Sequence, residues 1–297
     1  MQNDSHGGEG TGAIVQKFTC VRFVASSCWA LDHGVMGTGF GNLNRPTLQR
    51  WFAAAVFAAL LGTVHAENAQ IAQVPFVGCP GIGGADPGPW PVPKGAPKVL
   101  PSATTVPPAR IAYYRANNGP GVFAPSGWHC QAWGGSNGSF IIVTPTAPPA
   151  VIPREPVKGP GVIAIWSSGG TSGRFEVAEV SVRLFPEVMA DFIARVKAEG
   201  FPYPDFSKIK PFPHDQYDHV THKLVVFTTP AHQEGIGTGI LVPSEDPVRG
   251  VVSLSPEGGR YPDLLQFHIR LSRADGTLVQ ALIDLELRCL NGSWPGC

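Results

Sequence analysis

The hydrophobic positions of this chain change period several times, and the changes outline its elements. Phe140-Ile-Ile-Val-Thr144, Gly161-Val-Ile-Ala-Ile-Trp166 and Phe175-Glu-Val-Ala-Glu-Val-Ser-Val-Arg-Leu184 are rich in β-branched residues, and the last alternates apolar with polar, so all three are predicted strands. After Pro186, Val188, Phe192 and Val196 recur every four residues on one helical face, and Gly200 follows as the residue past the helix end. Beyond a Pro-rich link over 201–213, the runs Lys223-Leu-Val-Val-Phe-Thr228, Gly239-Ile-Leu-Val242, Gly250-Val-Val-Ser-Leu254 and Leu264-Leu-Gln-Phe-His-Ile-Arg-Leu271 read as further strands. Asp275 then caps a predicted helix reaching about Arg288, with Leu278, Leu282 and Leu285 on one stripe. Upstream, Pro107-Pro-Ala-Arg-Ile-Ala-Tyr-Tyr-Arg115 reads as a short helix opened by proline and closed near Asn117-Asn118-Gly119. The links between strands are too short for parallel crossovers. The expected class is therefore α+β, a mainly antiparallel sheet with two or three packed helices.

Two segments lie outside this pattern. Residues 67–107 form an arm crowded with Gly and Pro, as in Gly83-Gly-Ala-Asp-Pro-Gly-Pro-Trp-Pro-Val-Pro93, and proline's missing amide predicts an extended path without regular strand or helix. Such an arm also reads as a proline-rich ligand for an aromatic groove. Farther upstream, Arg45 and Arg50 flank an apolar run from Trp51 to Val64 that ends in Val64-His65-Ala66, the order of an export signal with a small-residue cleavage site. The run is short for a membrane span. Residues 36–66 are accordingly read as a signal peptide starting at Met36, residues 1–35 as a non-native upstream extension, and 108–297 as one α+β domain. The competing reading is a cytoplasmic tail followed by a membrane anchor. Cleavage would leave no stable membrane span and place the protein in the periplasm or outside the cell.

Cysteine usage bears on the same compartment. Cys20 and Cys28 precede the cleavage site, leaving Cys79, Cys130, Cys289 and Cys297. An even set in an exported chain reads as two disulfides with three possible connectivities. The Gly- and Pro-containing link between Cys289 and Cys297 favours that pair and leaves Cys79 with Cys130. No C-x2-C pair exists to support a four-cysteine zinc site.

Charge excludes one class of partner. Lys plus Arg and Asp plus Glu each number 22, and removing residues 1–66 leaves the chain close to balance. With no basic cluster to contact phosphates, nucleic acid is not an expected partner. The partner class that remains is an envelope or extracellular ligand.

Candidate chemistry is sparse. His214-Asp-Gln-Tyr-Asp-His219-Val-Thr-His222 gathers three imidazoles and two carboxylates, residue types that bind zinc or copper, but in extended chain His219 and His222 point to opposite sides, and the stretch also reads as a solvated loop entering a strand. His232-Gln-Glu234 with His129 could supply a base and an acid, while the glycines after Glu234 equally suit a hairpin. Ser167-Ser-Gly-Gly-Thr-Ser-Gly173 lacks the Gly-Lys-Ser/Thr ending of a phosphate loop and reads as a hairpin loop. Trp128, Trp133, Tyr113 and Tyr114 form an aromatic group suited to core packing or to a carbohydrate or peptide platform. There is no G-x-S-x-G elbow, and no cofactor is expected.

Several segments together resemble a family of exported bacterial proteins of unknown function. They are Ile111-Ala-Tyr-Tyr114, Gly121-Val-Phe-Ala-Pro-Ser-Gly-Trp-His-Cys130, Gly135-Ser-Asn-Gly138, Phe227-Thr-Thr-Pro-Ala-His-Gln-Glu-Gly-Ile-Gly-Thr238, Arg249-Gly-Val-Val252 and Pro262-Asp-Leu-Leu265. The resemblance implies export and a single domain, and no reaction. The expected function is a non-enzymatic ligand- or partner-binding domain of the cell envelope. The alternative is a hydrolase or metalloenzyme built on His214, His219 and His222 or on His129, His232 and Glu234.

Overall fold

The computed structural model describes residues 73–83, 88–95, 98–99, 105–149, 155–201, 205–255 and 260–291. The expectations for the upstream extension, the signal peptide and Cys297 lie outside them. In chain order the strands are β1 (Gln73–Val74), β2 (Phe76–Gly78), β3 (Gly81–Gly83), β4 (Pro89–Trp90), β5 (Lys98–Val99), β6 (Ile111–Arg115), β7 (Gly121–Pro125), β8 (His129–Gly135), β9 (Gly138–Thr144), β10 (Gly161–Ser167), β11 (Gln216–Thr221), β12 (Leu224–Thr229), β13 (Val248–Leu254) and β14 (Leu264–Arg270). The α-helices are α1 (Arg174–Leu184), α2 (Ala190–Ala198) and α3 (Gly276–Leu290).

Nine of these strands form the main sheet, in the order β11-β12-β13-β14-β10-β9-β8-β3-β4, and its pairs are antiparallel except β3 with β8. A smaller sheet, β2-β6-β7, combines a parallel and an antiparallel pair. The class is α+β, as the periodicity predicts.

Two apolar cores lie on opposite faces of the main sheet. On one side α1 and α2 contribute Val177, Leu184, Phe192, Ile193 and Val196. On the other, Leu278, Leu282 and Leu285 of α3 meet Ile141, Val162, Ala164, Phe267 and Ile269 together with Ile111 and Phe123 of the small sheet. Gly200 adopts φ +71°, the left-handed conformation expected just past α2.

Five local expectations are corrected. Residues 175–184 are helical, because Val177, Ala178, Ser181 and Leu184 bury one helical stripe against the sheet while Glu179 pairs with Arg183 one turn on. Packing there overrides the strand preference of the valines. Ser167–Gly173 is consequently a strand-to-helix link rather than a hairpin loop. The predicted helix after Pro107 shrinks to a single 3-10 turn, Pro108–Arg110, and Ile111-Ala-Tyr-Tyr-Arg115 is strand, its first four residues all buried. Gly239–Val242 is not a continuous strand: Leu241 makes an isolated bridge to Val157. The arm also contains regular pieces, since β3 and β4 extend the main sheet and the Trp90 indole N–H donates to the Gly83 carbonyl at 2.5 Å.

The arm is fastened by the Cys79–Cys130 disulfide, which joins positions 51 apart in sequence. Cys289 is also disulfide-bonded, and its partner lies outside the described residues. Two buried ionisable residues lock neighbouring segments. Arg270 donates from Nε to the Gly159 carbonyl at 2.7 Å and from its terminal nitrogens to the carbonyls of Val157, at 2.9 Å, and Val242, fixing the 157–159 and 240–242 segments to β14. On α3, the buried Glu286 carboxyl accepts the Phe123 amide at 2.8 Å, on the side of β7 away from β6.

Candidate functional site

Strand pairing aligns the side chains that line a cleft. Across the sheet one row runs Trp133–Phe140–Ile165–Gln266–Val252, and the next runs Gln131–Ile142–Ile163–His268–Gly250–Phe227. Both rows face α1 and α2. Gly250 has a particular reason to lack a side chain: a Cβ there would lie 2.4 Å from the Phe227 ring, which crosses above it and meets the His268 imidazole edge-on, centroids 5.4 Å apart.

Above one end of these rows, α1 stands off the sheet. It presents Glu176, Glu179, Val180 and Arg183, spaced one turn apart, over Trp133, Phe140, Gln266 and His268. The space enclosed is about 500 Å³, in the range of small-molecule sites. Ile236 and Ile240 close one side. Asp215 holds this wall, its Oδ2 accepting the Ile236 amide at 2.8 Å and the Tyr217 hydroxyl at 3.0 Å. Burial and the neighbouring Asp215 carboxylate raise the Tyr217 phenol well above its ordinary range, so it remains a donor. At the mouth, Arg183 pairs with Glu179 at 3.1 Å, lies 4.4 Å above the Phe212 ring centre, and donates to the Lys210 carbonyl.

The polar groups in this cleft are short of partners. The Gln266 amide donates to Glu176 at 3.1 Å. Burial raises the Glu176 carboxyl above its usual range, with Ser167 and Gln266 pulling the other way and Glu179 adding to the rise. His268 is fully buried and neither ring nitrogen makes a hydrogen bond of good geometry, the Gly237 backbone being its one nearby polar neighbour; burial pushes its imidazole down to about 4, and the Gly237 backbone offsets this only in part. It is therefore neutral near pH 7, one nitrogen donating and one accepting. The Trp133 indole N–H is likewise buried without an acceptor, its ring stacked 5.0 Å from Phe140. Orphaned buried polar atoms are costly. The Trp133 indole N–H and the His268 imidazole, both in the lining of one roomy cleft, are groups that a polar ligand or bound water would complete.

No family model, curated protein or solved structure matches this chain. The resemblance to exported bacterial proteins therefore stands on its sequence segments alone, and the site is read from its own geometry.

The candidates named from sequence lie elsewhere. His219 is exposed on the outermost strand β11, His214 and His222 are exposed on either side of it, and among the described residues no three His, Cys, Asp or Glu side chains are placed to hold a metal ion. His129 is exposed at the start of β8. His232 has φ +61° and pairs with Glu245 at 3.1 Å, and Glu234 is exposed. The Gly235–Thr238 segment instead builds the cleft wall: the Gly235 amide donates to Thr238 Oγ1 at 2.9 Å and the Gly237 amide to the buried Thr229 Oγ1 at 3.2 Å. Although Ser167–Gly173 precedes a helix, four of its amides are engaged within the fold, that of Gly169 by Asp263, that of Ser168 by the Asn137 carbonyl, that of Thr171 by the Ser168 carbonyl and that of Gly173 by Thr171 Oγ1. The aromatic group divides between the two cores. Tyr113, Tyr114 and Trp128 pack on the α3 side, the Tyr114 hydroxyl donating to Pro125 at 2.7 Å, and Trp133 alone enters the cleft. Glu176, Gln266 and His268 carry no recognisable motif. For Gln266 and His268 the one available signal is their alternation, with Arg270, against Leu265, Phe267 and Ile269, which places polar side chains along one face of β14.

Proposed function

We propose that this chain is an exported cell-envelope protein whose α+β domain binds a small uncharged polar ligand in the cleft beneath α1. The observation that carries the reading is a cavity of about 500 Å³ whose apolar and aromatic walls are interrupted by Gln266, Glu176 and the Glu179–Arg183 pair, with the buried Trp133 indole N–H and His268 imidazole short of partners in its lining. Charge supports an uncharged ligand: Glu179 and Arg183 neutralise each other, His268 is uncharged, and burial favours the protonated form of Glu176. A ring bearing hydroxyl or amide groups meets both demands, with an apolar body for Ile165, Val180 and Ile240 and polar edges for Gln266 and His268. Export rests on the Arg45–Ala66 signal pattern, and the Cys79–Cys130 bridge suits the oxidising compartment it implies. Among the described residues no helix is long and apolar enough to cross a membrane.

The test is a thermal-shift and tryptophan-emission screen of the oxidised protein against neutral polyols, saccharides and cyclic amides. At least one compound class should bind saturably to the wild type and lose affinity in Gln266→Leu and His268→Leu. Binding unaffected by either substitution, or none across the panel, would overturn the reading. N-terminal mass analysis of exported material tests the other half and should find Glu67 first.

A further inference from the structure

A second concavity, of about 360 Å³, lies at the amino end of α2 and shares no lining residue with the cleft. Its walls come from four separate places: α2, the turn between β11 and β12, the end of β13, and the segment entering β14. They bring Arg195, Lys223 and Arg260 together against a single acidic side chain, Asp191.

These cations differ from the other arginines near this face. Arg174 and Arg183 each hold a carboxylate, and Arg270 is saturated by backbone carbonyls. Arg195, Lys223 and Arg260 have no carboxylate within ion-pair distance among the described residues. Arg195 donates from one terminal nitrogen to the Arg260 carbonyl at 2.6 Å, which holds its guanidinium in place, while its Nε is buried with no acceptor. A buried guanidinium N–H without an acceptor is costly, and three converging cations attract an anion that completes them. The amino end of α2 adds partial positive charge to the same side.

The geometry points to an oxyanion-binding site in which Arg195, Lys223 and Arg260 hold a tetrahedral phosphate or sulfate group, either free or as the terminus of a larger ligand. Arg195 supplies the oriented donor, and Lys223 and Arg260 supply charge from two further segments. Asp191 repels any anion, but the three cations outweigh it, and they attract a divalent anion more strongly than a monovalent one.

Calorimetric titration of the oxidised full-length protein at low ionic strength, with inorganic phosphate, inorganic sulfate and phenyl phosphate, tests the site. Saturable binding is expected for all three. Lys223→Gln and Arg260→Gln should each weaken it about tenfold, and added salt should weaken it further. Arg195→Lys, which keeps the charge and removes Nε, should lower affinity without unfolding the protein. Phenyl phosphate binding more tightly than the inorganic ions assigns the pocket to a terminal group on a larger ligand; equal or weaker binding assigns it to the free anion. Absence of saturable binding, or affinities that the substitutions leave unchanged, would overturn the site while leaving the neutral-ligand cleft untouched.

Discussion

Replacing Glu286 by glutamine should change how stability depends on pH. The wild-type carboxyl is buried on α3, accepts the Phe123 amide, and is pushed by burial from 4.5 up to about 8. In the unfolded chain it loses its proton near 4.5, whereas in the folded protein it keeps the proton to about 8, so between those values the folded state binds one more proton. Stability from this group is complete below 4.5 and is lost as pH rises through 8. At about 1.4 kcal/mol per pH unit, the loss between pH 5 and pH 8 is about 3 kcal/mol. His268 opposes this at lower pH: its pKa falls from 6.5 to about 4 on folding, so its contribution is lost as pH falls between them. Part of the Glu286 effect is thereby masked in the wild type, and the comparison with Glu286→Gln isolates it. Glutamine retains an acceptor for Phe123 and cannot titrate. Urea unfolding of both oxidised proteins at half-unit steps from pH 5 to pH 8 should show the wild-type advantage shrinking by about 3 kcal/mol across the range. Parallel stability curves would refute the assignment of a neutral buried carboxyl.

Two further outcomes follow from the same structure. His268→Leu should flatten the loss of stability below pH 6.5, seen as a smaller drop in melting temperature between pH 6.5 and pH 4.5 than in the wild type. Converting both Cys79 and Cys130 to serine removes a bridge between positions 51 apart and should cost about 4 kcal/mol on the chain-entropy model, measured by chemical denaturation.

The parts of the fold that were legible in sequence were those whose local pattern and packing agree. The β9, β10 and β14 runs are apolar because both of their faces are covered, and α3 shows its Leu278, Leu282 and Leu285 stripe because one face alone is buried. The Cys79–Cys130 pair followed from an even cysteine count and a short turn-rich link between the other two. The α1 segment misled because Val180, Val182 and Leu184 mimic a strand's alternation, although the Glu179–Arg183 spacing was a helical signal within it. The cleft was hidden for a different reason. Trp133, Glu176, Gln266 and His268 come from two strands and a helix scattered over more than half of the described chain, and only the strand register sets the strand residues side by side. The histidine-rich 214–222 stretch drew attention through composition, yet its contribution is Asp215, whose hydrogen bonds hold Tyr217 and the cleft wall.

The most direct test of the ligand cleft is a high-resolution crystal structure of the oxidised protein soaked in a mixture of neutral polyol, saccharide and cyclic amide fragments. A fragment should occupy the space between α1 and the sheet, with a polar atom within hydrogen-bond reach of Trp133 Nε1 or of a His268 ring nitrogen. Fragments settling elsewhere while that space holds solvent alone would contradict the account.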